Sequence, residues 1–216
     1  MESPEKARTA GRPSVSGKIQ SERALLAVGV PKGLVLPPAG NTLEPTAWVH
    51  AGGGPRPLSP AEYQMWNLAL IPRTDSEIMA LAAQFEIAGA EEIVSSMVSA
   101  GLLISVEPTT KGVELANVRV IPLAFGAGND PSRRDVWRVV DPGRGTTLEV
   151  DALSYGLWNE FDGRATVGEA CSAVVESFLA VHDKDTVFAV VPRLLLMLMS
   201  VRYIFVDGPV DDAAFD

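Results

Sequence analysis

Apolar residues recur along this chain with two different periods, and the switches between them predict its elements. Leu153, Leu157, Trp158 and Phe161 fall at helical spacing, and so do Val167, Ala170, Cys171, Val174 and Phe178. Each set predicts one amphipathic helix. Asp151 stands where a helix N-cap belongs, because a short side-chain oxygen can accept from the free amides of a first turn. Thr166 and Glu169 have the spacing of a capping box. Earlier in the chain Tyr63, Trp66 and Leu70, then Ile78, Leu81, Ala82 and Phe85, predict another such pair of helices, with Pro72 keeping the two apart.

A third helix follows each pair. One runs from about Ala90 to Ala100 and stops at Gly101, which tolerates the left-handed conformation of a helix end. The strand "LLISVEP" comes next. In the second half "DKDTVFAVVPRLLLMLMS" is the helix and "RYIFVD" the strand. Pro192 deletes a helical amide, so the helix either kinks there or begins afresh at that residue. Ahead of these helices, "DVWRVVDPGRGTTLEV" alternates apolar and polar positions about a Pro142-Gly143 bend and predicts a β-hairpin. "RALLAVGV", "GLVLP" and "TAWVHAGGG" are the corresponding strands of the first half.

The halves are related. At an offset of 92 residues Trp66 meets Trp158, Asn67 meets Asn159, Thr74 meets Thr166 and Glu77 meets Glu169. The same offset aligns Ser59 with Asp151, both good N-caps. Matching starts of two successive helices argue for duplication. Each half then reads as two or three strands, three helices and a closing strand, which is a winged-helix order. The predicted fold is α+β, with two winged-helix domains at 24–118 and 119–208. Pro, Ser and Gly content makes 1–23 a disordered tail, and 209–216 is an acidic one. "PLAFGAGNDPSRRD" concentrates Gly, Pro, Asn and Asp and is the expected connection between domains.

Charge narrows the partners. Residues 1–23 hold five of the 18 basic and three of the 27 acidic residues, so the rest carries 13 basic against 24 acidic. A body this acidic repels nucleic acid unless it gathers a basic face, and none is visible. The longest apolar run, Leu194 to Met199, is six residues, far below the roughly 18 of a membrane span. A single cysteine and the absence of an apolar N-terminal stretch fit a cytoplasmic protein.

No catalytic set emerges. His50 and His182 are 132 residues apart without metal-ligand spacing, and "HDKD" reads as a solvated helix start. Cys171 lies on an apolar helix face with no adjacent cation, as a small buried hydrophobe does. "AGGGPRP" and "FGAGND" lack the strand-to-helix context of a phosphate cradle. Trp66 and Trp158 are expected to anchor cores. "LLLMLM" is apolar all round, which fits either a centrally buried helix or a Met-rich adaptable groove. Neither a cofactor nor a metal is expected.

The stretch from Val136 to Val206, with its hairpin entering "LEVDALSYGLWNEFDGRATVGEA" and the apolar helix and strand behind it, resembles the PqqD-like family. Those are small winged-helix domains that act as recognition elements in the biosynthesis of ribosomally made, modified peptides. The first half keeps Arg73 and Thr74 but has Pro72 in place of the Asp-Gly turn, and resembles a diverged copy. The resemblance implies strand addition, with the leader segment of a precursor peptide lying along the hairpin edge Thr146, Thr147, Leu148, Glu149 and Val150. It also implies a groove walled by the third helix, with Arg193, Leu196 and Met197 in contact and Arg193 facing an acidic peptide residue. The expected function is noncatalytic capture of that leader and its presentation to a peptide-modifying enzyme, with neither nucleic acid nor membrane as partner. A homodimer is compatible. The alternatives are a tandem winged-helix adaptor within a protein assembly and, less in keeping with the charge, a DNA-binding regulator.

Overall fold

The computed structural model describes residues 22–35, 46–107, 109–177 and 183–208. The two tails, apart from Glu22 and Arg23, lie outside the described residues, as do Phe178 and His182. The first half comprises β1 (Ala24–Ala27), β2 (Val30–Val35), β3 (Thr46–Ala51), β4 (Gly54–Leu58), α1 (Pro60–Leu68), β5 (Arg73–Thr74), α2 (Asp75–Gln84), α3 (Ala90–Ser99) and β6 (Leu103–Val106). A short 3-10 helix at Gly112–Leu115 leads into β7 (Arg119–Pro122), β8 (Phe125–Asp130), β9 (Arg133–Asp141) and β10 (Thr146–Val150). After these come α4 (Ala152–Glu160), α5 (Val167–Ser177), α6 (Lys184–Ser200) and β11 (Ile204–Asp207). The architecture is α+β, built of small antiparallel sheets and helices.

Each half repeats one plan. A three-stranded antiparallel meander, β2-β3-β4 or β8-β9-β10, precedes the helices. A smaller sheet gathers the leading and closing strands: β1 lies between β5 and β6, and β7 pairs with β11. Ala24 pairs with Thr74 in the first half, and Arg119 bridges Thr166 in the second. Both threonines head a helix. Thr74 accepts from the Glu77 amide at 3.2 Å while Glu77 accepts from the Thr74 amide at 3.0 Å, and Thr166 with Glu169 does the same at 3.2 and 2.7 Å. Such caps stabilise a helix start by about 1 kcal/mol.

The Asp162-Gly163 turn owes its form to this arrangement. Asp162 accepts from the amides of Arg164 and Ala165 at 2.7 and 2.8 Å, and Gly163, at φ 81°, donates to the Val120 carbonyl at 3.1 Å. These amide bonds, Ala165 foremost, hold the Asp162 carboxyl below the usual carboxylate range. The motif therefore anchors the start of α5 to β7.

Two cores result. Trp66 is fully buried in the first, with its indole Nε1 donating to the Val28 carbonyl at 2.9 Å. Trp158 and Cys171 are buried in the second, where burial pushes the thiol up to about 11. The second core also receives Ala24, Leu26 and Val106 from the first half, and Leu115 and Val118 from the connection. Beside it β11 runs along the end of β1: Val206 bridges Val28 in parallel, and Gly29 donates to the Val206 carbonyl at 2.7 Å. Phe85, expected on an apolar helix face, is instead 57% exposed as the C-cap of α2, where the helix ends.

Two expectations change. "PLAFGAGNDPSRRD" is not a linker: its residues form the end of β7, all of β8 and the start of β9. Its glycines serve contact with a helix. A side chain at Gly126 would meet the Tyr155 hydroxyl at 2.5 Å, and Gly128 donates to that hydroxyl at 2.9 Å. Tyr155 in turn stacks on Trp137, ring centroids 4.7 Å apart. Second, α6 passes through Pro192 rather than beginning there. Proline removes the amide that would bond the Phe188 carbonyl four residues back. The backbone of Gly112 lies so close to that carbonyl that an added Cβ would clash with the Phe188 oxygen.

Candidate functional site

A sheet margin accepts a new strand only where its outward amides and carbonyls are intact and the strand is regular. The two meanders have four margins, and three carry features that obstruct addition. β2 contains Pro31 and a register shift between Pro31 and Gly33. β4 contains Pro55 and Pro57, two residues apart and hence on one side of the strand. Proline lacks an amide hydrogen, and with β4 paired to β3 along its length the missing donors fall on the open margin. β8 shifts register twice, between Gly126 and Gly128 and between Asn129 and Asp130. The fourth margin, β10, pairs with β9 in five consecutive registers without a shift and has an amide at every position.

A groove of about 290 Å³ adjoins the end of β10. Val190, Arg193, Leu194 and Met197 line it from α6, and their spacing puts all four on one helical face. Glu149 and Val150 line it from β10, Asp135 and Val136 from β9, Asp151 and Ser154 from the start of α4. Val150, Ser154 and Leu194 are buried and form the floor, while Asp135, Asp151 and Arg193 are exposed at the rim.

Of the residues expected to contact a peptide, the structure brings Glu149, Val150, Arg193 and Met197 together in this groove. Leu148 and Leu196 belong elsewhere. Leu148 is 3% exposed and Leu196 8%, and both side chains pack in the second core. Strand alternation explains the first, since Leu148 and Val150 share the inward face and Thr147 and Glu149 the outward one. Thr146 is exposed and its hydroxyl lies 2.9 Å from that of Tyr203, which ties the start of β10 to the segment behind α6. The two readings of "LLLMLM" divide by residue: Leu194, Leu195, Leu196, Leu198 and Met199 are buried, and Met197 is half-buried at the groove.

The outward face of the hairpin carries a charge network that sequence reading passed over. Asp130 is buried, accepts from the Ser132 amide at 2.9 Å and hydroxyl at 2.7 Å, and pairs with Arg133 at 3.1 Å. Arg138 pairs with the same carboxylate, and Arg133 reaches on to Glu149 of β10. The Ser132 hydroxyl and amide, followed by Arg133, hold the Asp130 carboxyl well below the usual range. Two acids and two guanidinium groups thus neutralise each other across the strands and brace β10. Only the "ND-x-S-R-R" run hinted at it, because a serine two residues after an aspartate favours a local turn.

Elsewhere the named residues occupy structural places. His50 is half-buried on β3, paired with Val30 and Pro55. Among the described residues no three His, Cys, Asp or Glu side chains converge, and no helix is long and apolar enough to cross a membrane. Set against protein-family models, curated proteins and solved structures, the chain matches none.

Proposed function

We propose that this chain is a noncatalytic peptide-binding protein, built as two winged-helix repeats, that takes the leader of a ribosomally made precursor along β10 and presents it to a modifying enzyme. The observation carrying this reading is that β10, unlike β2, β4 and β8, has a regular margin, and that a groove opens at its end. An extended peptide supplies main-chain bonds to the margin, and one of its side chains enters the groove beside Leu194 and Met197. Affinity comes from the backbone and selectivity from the groove. Holding the peptide near an enzyme raises its local concentration and requires no chemistry of the binder.

The test is titration of the protein with the leader of a short precursor encoded beside its gene. Met197→Asp places a charge in the groove and is expected to weaken binding at least about tenfold, the effect of roughly 1.4 kcal/mol. Leu148→Arg would instead disturb the core, where that side chain is buried, and so would not test the groove. Unchanged binding by folded Met197→Asp contradicts the reading. The adaptor alternative shares the architecture and differs in its ligand, a folded protein in place of an extended segment. A DNA-reading role is disfavoured by α3, whose first turn presents Glu91 and Glu92.

A further inference from the structure

Resting on the strand-addition reading above, we infer that the groove selects an extended segment in which a basic residue flanks the strand-forming stretch, a reversal of the acidic residue that Arg193 alone implies. The charge balance of the rim carries this. Glu149 contributes little net field, because Arg133 pairs with it while Arg133 and Arg138 also satisfy Asp130. What remains at the rim is Asp135 and Asp151 against Arg193. Asp151, the N-cap of α4, accepts from the Ser154 amide at 2.7 Å and has no ion pair among the described residues. Asp135 is exposed and has no ion pair among the described residues.

Position sharpens the point. Val150 pairs with Trp137, so Asp135 and Val136 lie just past the end of β10, where the chain turns into α4. A peptide continuing along that margin passes Asp135 and Asp151 together. Arg134, the neighbouring base, is not among the residues that line the groove. The whole chain carries a net charge of −9, which reinforces attraction of a cationic segment.

The probes are two end-blocked synthetic peptides sharing one Thr-Val-Leu-Val-Thr core, one flanked on both sides by lysine and the other by glutamate. Binding to the full chain is read by fluorescence anisotropy at low and high salt. The lysine peptide is expected to bind about tenfold tighter at low salt, with the advantage shrinking as salt rises. Asp135→Lys, an exposed substitution whose fold is checked by circular dichroism, is expected to reverse the order. Equal affinities, or tighter binding of the glutamate peptide, overturn the inference. In that case loss of binding on N-methylation of the shared core leaves strand addition standing. Binding of neither peptide overturns both.

Discussion

The hydroxyls of Tyr203 and Thr146 lie 2.9 Å apart although 57 residues separate them, and this contact fastens the first residue of the β10 margin to the turn behind α6. Tyr203 is 1% exposed while Thr146 is exposed, so the bond is part-buried. Tyr203→Phe is expected to cost about 1 kcal/mol in urea unfolding. Peptide affinity should fall by less than tenfold, since the margin loosens but remains. An unchanged unfolding midpoint sinks the claim that this contact braces the strand.

Gly112 and Pro192 act as a pair. The carbonyl of Phe188, without its helical donor, is met by a glycine backbone that tolerates no side chain. Gly112→Ala should destabilise by about 1–3 kcal/mol through overpacking. Gly101→Ala, with nothing within 4 Å of its added Cβ, loses only what φ 68° imposes and serves as the comparison. Equal stability of wild type and Gly112→Ala contradicts the described approach.

Asp207 joins the halves. Its Oδ1 accepts from the Gly52 amide at 2.9 Å and its Oδ2 from Arg119 at 2.7 Å. Removing one member of a buried pair costs about 3–5 kcal/mol, because the other charge is left stranded. Asp207→Ala should therefore lower the thermal midpoint and separate the unfolding of the two cores, seen as a second calorimetric transition. A single transition at the original temperature refutes the coupling.

Acid should weaken the fold in a defined direction. Folded-state depression at Asp130, Asp162 and Glu169 gives stability that is present above the unfolded carboxylate pKa, near about 4, and is lost as pH falls through the folded values. Urea midpoints should hold steady from neutrality to about pH 5 and drop below about pH 4. Asp130→Asn should flatten that drop. Cys171 runs the other way: its raised thiol pKa gives stability that is complete below the unfolded value and is lost as pH climbs toward about 11. Native protein should accordingly react with a thiol reagent only on unfolding.

Much of this plan was legible in the sequence because local chemistry and periodicity agreed. The offset linking Trp66 to Trp158 marks equivalent helices, α1 and α4, and the Thr-Glu pairs mark the starts of α2 and α5. What escaped depended on contacts distant in sequence. Glycines 126 and 128 looked like linker residues because composition cannot show that Tyr155, a helix away, needs their bare backbone. Leu148 and Leu196 entered the expected contact set through the family resemblance, which points to a strand and a helix as wholes, and only packing reveals which of their side chains meet the core. The obstruction of β4 was written in Pro55 and Pro57, but its meaning depended on β4 being a margin.

The most direct measurement is amide hydrogen exchange across the chain with and without saturating peptide. Slowed exchange at residues 146–150, with the amides of β4 and β8 unaffected, is the predicted result. Protection confined to the helices or to β4, or none at 146–150 when the peptide is demonstrably bound, would show that the peptide does not extend this sheet.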